Sequence, residues 1–104
     1  MSVAEATTPH NQTAAGTQAE LAHQCLYYMS LMREIEDRIE RKLYRQGKVL
    51  GGVYVGRGQE AIPVGTAVLA DSEDVLLPSH RDMAALLIRG VPVGRILAQY
   101  MGRM

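Results

Sequence analysis

The sequence has no tryptophan, no phenylalanine, a single cysteine and only four prolines in 104 residues. Five tyrosines are its whole aromatic content, so the core has to be aliphatic and methionine-rich. A lone Cys25 forms no internal disulfide, which excludes a disulfide-stapled scaffold and suits a reducing, cytoplasmic setting. An excess of one charge is missing too: 11 basic and 11 acidic side chains give a net charge of zero. Proteins that coat nucleic acid or an anionic membrane depend on a basic excess, so neither partner is expected. No apolar run approaches the roughly 18 residues that cross a bilayer. What remains is a globular apolar content of 47% in a chain long enough for one small domain.

Residues 1–16 are small and polar, with no Lys or Arg and no apolar segment, so neither a secretory nor a transit signal fits. A disordered tail is expected there, with the folded segment over residues 17–104. The Asn11-Gln12-Thr13 sequon within the tail reads as a chance match.

Thr17-Gln18-Ala19-Glu20 has the form of a capping box, a hydroxyl facing the first free amides and a Glu reaching back. Behind it Leu21, Cys25, Met29, Met32, Ile35, Ile39 and Leu43 recur every three or four residues and form one apolar stripe. Glu34 with Arg38 and Asp37 with Arg41 are acid-before-base pairs one turn apart. Gly47 is the expected left-handed stop. Such a helix over residues 18–46 is about 43 Å long. A compact chain of this size is about 34 Å across. Either the helix breaks, or it overhangs the body and its stripe self-associates or meets another chain; the second is expected.

Four glycines, Gly51, Gly52, Gly56 and Gly58, surround the β-prone run Val53-Tyr54-Val55. A helix is expected from Gln59 to Ala70, kinked by Pro63. Val75-Leu76-Leu77 suits a short buried strand. Ser79 with Asp82 is a cap for a helix ending at Gly90, and Pro92 opens a last helix over residues 93–101. The fold class is mainly α: a long N-terminal helix, three shorter helices and one or two short strands.

Three constellations can carry chemistry. Gly56-Arg57-Gly58-Gln59-Glu60-Ala61 satisfies a dinucleotide-binding pattern, but the ribose-binding acid and the remaining strands are missing. Turn and close-packing glycines explain it better. Ser79-His80-Arg81-Asp82 lies between an expected strand and a helix, where an Arg grips phosphate bidentately alongside helix-start amides. The plainer alternative is a solvated helix start. Arg38, Arg41, Lys42, Arg45 and Lys48 surround Tyr44, but Glu34, Glu36, Asp37 and Glu40 interleave with them, which describes a solvated face. No spacing suggests a metal site or a nucleophile–base pair.

Taken in order, these segments resemble a known family. Met-Arg-x-x-Glu at 32–36, Leu-Tyr-Arg-Gln-Gly-Lys at 43–48, Gly-Gln-Glu-Ala at 58–61, His-Arg-Asp at 80–82, Arg89-Gly90 and Met101-Gly102-Arg103 resemble the amino-terminal region of the α subunit of thiamine-diphosphate-dependent 2-oxo acid dehydrogenases. These are the E1 components of pyruvate, branched-chain 2-oxo acid and acetoin dehydrogenase complexes. Each motif alone is weak; their shared order carries the resemblance. It implies a fragment of an α/β thiamine-diphosphate-binding fold. By resemblance, Arg81 contacts the cofactor diphosphate, His80 stands where the family commonly has a cofactor-facing Tyr, and Tyr54 holds a substrate-pocket position that can be His. Glu60 belongs to a scaffold helix and is not catalytic. The implied activity is decarboxylation of a 2-oxo acid, with the acyl group passed to a lipoyl-bearing E2 component.

The same resemblance implies an E1 β subunit, which supplies the glutamate that activates the cofactor's aminopyrimidine ring. It also implies Mg2+, held by a motif that lies beyond this region in family members. The expectation is a truncated or split α subunit, inactive alone. The competing expectation is a non-enzymatic association module of the same descent.

Overall fold

The computed structural model describes residues 14–103. Residues 1–13, which carry the sequon and most of the expected tail, lie outside the described residues. Helix α1 spans Ala14–Arg38 and runs on through a π-helical turn, Ile39–Leu43. It begins before Thr17, so the expected capping box falls within the helix and does not open it. Wider π hydrogen bonds, Tyr44 N–H to Ile39 C=O and Lys48 N–H to Leu43 C=O, mark its end. Gly47 then takes φ +74°, as a left-handed stop requires. The helix does not break, and the molecule is correspondingly long, 52 × 24 × 19 Å.

Met32, Ile35 and Ile39 of the stripe are buried within the chain itself. They join Val49, Val64, Met83, Ala84, Leu87 and Ile96 in one core, with Cys25, Met29 and Leu43 packed at its edge. Each fully buried side chain of this size contributes about 1.5–3 kcal/mol. Most of the stripe is therefore not a free surface for self-association, because helices α2 and α3 pack on it. The exposed large apolar residues of α1 among the described residues are Leu26 and Tyr27, off the stripe.

Helix α2, Ala61–Leu69, begins two residues later than expected from Gln59. That shift resolves Pro63: it lies in the first turn, where its missing N–H would have no helical partner anyway, and no kink is needed. Helix α3, Met83–Ile88, stops at Gly90, φ +90°. Helix α4, Val93–Tyr100, follows Pro92.

The mainly helical architecture stands, but neither expected strand forms among the described residues. Residues 53–55 and 75–77 run as connections without a ladder. A strand is stable only when a neighbour satisfies its backbone groups, and none is present here. Val75 and Leu77, expected to be buried, are 82% and 92% exposed. Among the described residues no helix is long and apolar enough to cross a membrane.

Candidate functional site

The connection from Val49 to Glu60 is held down on α1 by acidic side chains. Glu36, 1% exposed, accepts a hydrogen bond from the Gly56 N–H at 2.9 Å through Oε1. Glu60, also buried, accepts from the Gly58 N–H at 3.0 Å and from the Arg33 guanidinium at 2.5 Å. Arg57 donates to Asp37 and, at 2.8 Å, to Glu40. Asp37 thus pairs across 20 positions with Arg57 and not with Arg41 on its own helix, whereas Glu34 and Arg38 pair as expected at 2.9 Å.

These contacts settle the dinucleotide pattern. The amides of Gly56 and Gly58, which would have to face a pyrophosphate, are taken by carboxylates. Negative charge placed there repels a phosphate. The glycines serve packing: a Cβ on Gly56 would lie 2.4 Å from the Arg81 carbonyl oxygen and 2.7 Å from Met32 Cε. Only glycine allows the loop so close to residue 81.

That approach brings the sequence-predicted site residues together. The Tyr54 ring lies over Gly52 and meets the His80 ring edge-on, centroids 5.4 Å apart. Arg81 follows, its backbone against Gly56 and its side chain exposed. Among the described residues its guanidinium pairs with no carboxylate. The turn before α3 is closed on itself. Asp82 Oδ2 accepts from the Ser79 N–H at 3.0 Å and its hydroxyl at 2.8 Å, the Asp82 N–H donates to the Ser79 carbonyl, and the Arg81 N–H points to the Ser79 hydroxyl at 3.4 Å. The Ser79, Arg81 and Asp82 amides are occupied, and the side chains of Arg81 and His80 stand beside this turn as further donors. A cleft of about 540 Å³ opens beside His80, lined also by Met83, Arg95, Ile96 and Tyr100 among others, and Arg81 is not part of its lining.

Burial pushes the Glu36 carboxyl up to about 7, the Gly56 hydrogen bond opposing this only in part. The Arg33 hydrogen bond holds Glu60 below the usual carboxylate range, and Arg57 does the same for Asp37. Arg57 and Arg33 are raised by these carboxylates. Burial raises Tyr100, with the Glu36 charge adding to it. The sequence reading placed Glu36 on the solvated face. The signal against that lay in the spacing: Glu36 is seven residues from both Met29 and Leu43, on the edge of the apolar stripe.

The sequence profile of the Dehydrogenase E1 component family matches residues 27–104, which include all of these site residues. The chain belongs to this family. Its relatives include the pyruvate dehydrogenase E1 component subunit alpha of Porphyra purpurea, 36% identical over 75 residues, covering 72% of this chain and 22% of that protein. The mitochondrial counterpart of Pisum sativum is 33% identical over 75 residues, 72% of this chain and 19% of that protein. The 3-methyl-2-oxobutanoate dehydrogenase subunit alpha of Mycobacterium tuberculosis is 35% identical over 78 residues, 74% of this chain and 21% of that protein. The chain therefore spans about a fifth of the length of these relatives. No solved structure matches it significantly. As an E1 family member the chain is related to dehydrogenase subunits named for pyruvate and for 3-methyl-2-oxobutanoate.

Proposed function

We propose that the protein serves as the amino-terminal part of an E1 α subunit, binding the diphosphate of thiamine diphosphate through Arg81 and His80 in a 2-oxo acid dehydrogenase. The observation that carries this is the exposed Arg81 guanidinium, free of any carboxylate among the described residues, beside a His80 ring braced by Tyr54. The donor set fits a diphosphate: a planar guanidinium matches two phosphate oxygens, and the imidazole adds a further donor. The cofactor, when bound, supplies the electron sink for decarboxylation. The task of this chain is to bind and orient; none of its residues is assigned a proton-transfer step. Tyr54 lies close enough to His80 to border the substrate, as its family position suggests.

Among the described residues no group of three or more His, Cys, Asp or Glu is arranged to hold a metal, and Mg2+ is not assigned to them. In this reading an E1 β subunit and a lipoyl-bearing E2 are the partners, in a heterotetrameric E1 in the cytoplasm. The sequence support for that setting is the single Cys25. Leu26 and Tyr27, exposed on α1 beside Ser30 and Leu31, favour a second reading as an association module.

The test is reconstitution: this chain is mixed with an E1 β subunit and the remaining α-subunit segment of a relative, and decarboxylation of pyruvate or 3-methyl-2-oxobutanoate is followed. Activity that appears on mixing and disappears with Arg81→Ala is expected. Assembly without activity, indifferent to Arg81→Ala, would favour the association module.

A further inference from the structure

Glu36 is the one buried acid of the chain without an ion pair among the described residues. Oε1 accepts from Gly56 N–H, whereas Oε2 is buried with no hydrogen-bond partner among the described residues. Glu60 faces it from the start of α2, Arg57 from the glycine connection, Asp37 from α1 and Tyr100 from α4. Gly56, held by Glu36 on one side, rests on the Arg81 carbonyl on the other. Two residues earlier in the same connection, Tyr54 meets the His80 ring. The glycine connection thus touches both proposed cofactor-binding residues, and the carboxyl of Glu36 anchors it at Gly56.

We infer that Glu36 is a positioning residue: acting through Gly56, its carboxyl fixes where His80 and Arg81 stand relative to helix α1. The inference rests on the proposed function only for what that segment does; the mechanical link itself is independent of it. The chemistry of the anchor follows from its surroundings. A buried carboxylate with one unsatisfied oxygen is costly, and the like charges of Glu60 and Asp37 add to the cost against the opposing charge of Arg57. The neutral acid, whose hydroxyl carries the proton, suits the site better, in keeping with a carboxyl raised to about 7. Crossing neutrality therefore changes the charge at the anchor and disturbs what hangs on it.

The test follows the backbone amides of the full chain by two-dimensional NMR from about pH 5 to about pH 9. His80→Gln serves as the background, so that no imidazole at this position titrates. The Gly56 and Arg81 amides are expected to titrate together with a midpoint near 7. Glu36→Gln, which keeps an acceptor for Gly56, should abolish both titrations and leave both resonances near their acid-form positions. Glu36→Leu should speed Gly56 amide exchange at least about tenfold and move Arg81. If that variant fails to fold, the titration decides alone. A Gly56 titration that Arg81 does not share would overturn the inference, as would no titration at Gly56. No cofactor is present in this experiment, so its failure leaves the cofactor reading intact. Loss of thiamine diphosphate binding in Arg81→Ala tests that reading separately.

Discussion

Two connections of similar length join the helices, and their fates differ. Residues 49–60 contain four glycines, place Val49 in the core and are pinned to α1 through the Gly56–Glu36 hydrogen bond and the Arg57–Asp37 and Glu60–Arg33 pairs. Residues 71–82 contain the apolar run Val75-Leu76-Leu77, yet two of those three side chains are exposed. The second connection is tied at one end by Arg89, which donates from beyond α3 to the carbonyls of Asp71 and Asp74, and the Asp82–Ser79 contacts close its far end. Hydrophobicity alone does not fix a connection. A loop becomes rigid when its backbone donors meet buried acceptors, and apolar residues stay in solvent when no surface faces them.

The substitution that breaks this contrast most severely is Gly56→Ala. The new methyl meets a carbonyl oxygen, which cannot move aside like a side-chain end. The expected loss is about 3 kcal/mol, or a fall of about 15 °C in Tm, read by thermal denaturation. A fall of only a degree or two would show that the loop has room to shift.

The pH dependence comes next. Glu36 has a folded-state pKa near 7 against an ordinary value of 4.5, so the folded chain holds its proton more tightly than the unfolded one. Its contribution is fully present below about 4.5 and is lost as pH rises through 7. The change is on the order of 3 kcal/mol. Glu60 and Asp37, both lowered, act with the opposite sign at more acid pH. Denaturant unfolding at several pH values should therefore show highest stability on the acid side of neutrality, and Glu36→Gln should flatten the fall.

Arg33→Ala removes the partner of a buried carboxylate that keeps its Gly58 bond, and should cost about 1.5 kcal/mol. Leu77→Ser sharpens the contrast from the other side. At 92% exposure it should change stability by less than about 0.5 kcal/mol, and a larger loss would mean that this segment is packed against something in solution.

The helical skeleton was legible because its signals are local: the spacing from Met29 to Leu43, and Gly47 and Gly90 as left-handed stops. The nearness of Tyr54 to His80 was implied only by ordered family motifs, whereas the segment holding His80 and Arg81 was also marked by its place before an expected helix. The strands were misread because an apolar run names a burial preference without naming a partner. The burial of Glu36 was missed because an acid within a strongly charged stretch looks solvated until its register on the stripe is counted. The pairing of Asp37 with Arg57 is tertiary, and no window of neighbouring residues contains it. Pro63 shows the limit at element ends, where a shift of two residues turns an apparent defect into an ordinary first-turn proline.

We propose that Arg81, set in place by the glycine connection, grips the cofactor diphosphate. The most direct measurement is calorimetric titration of thiamine diphosphate with Mg2+ into the reconstituted E1 assembly, with the wild-type chain and with Arg81→Ala. Loss of a charge-assisted bidentate contact predicts binding weaker by about 10- to 100-fold. Equal affinity for both chains would contradict the account.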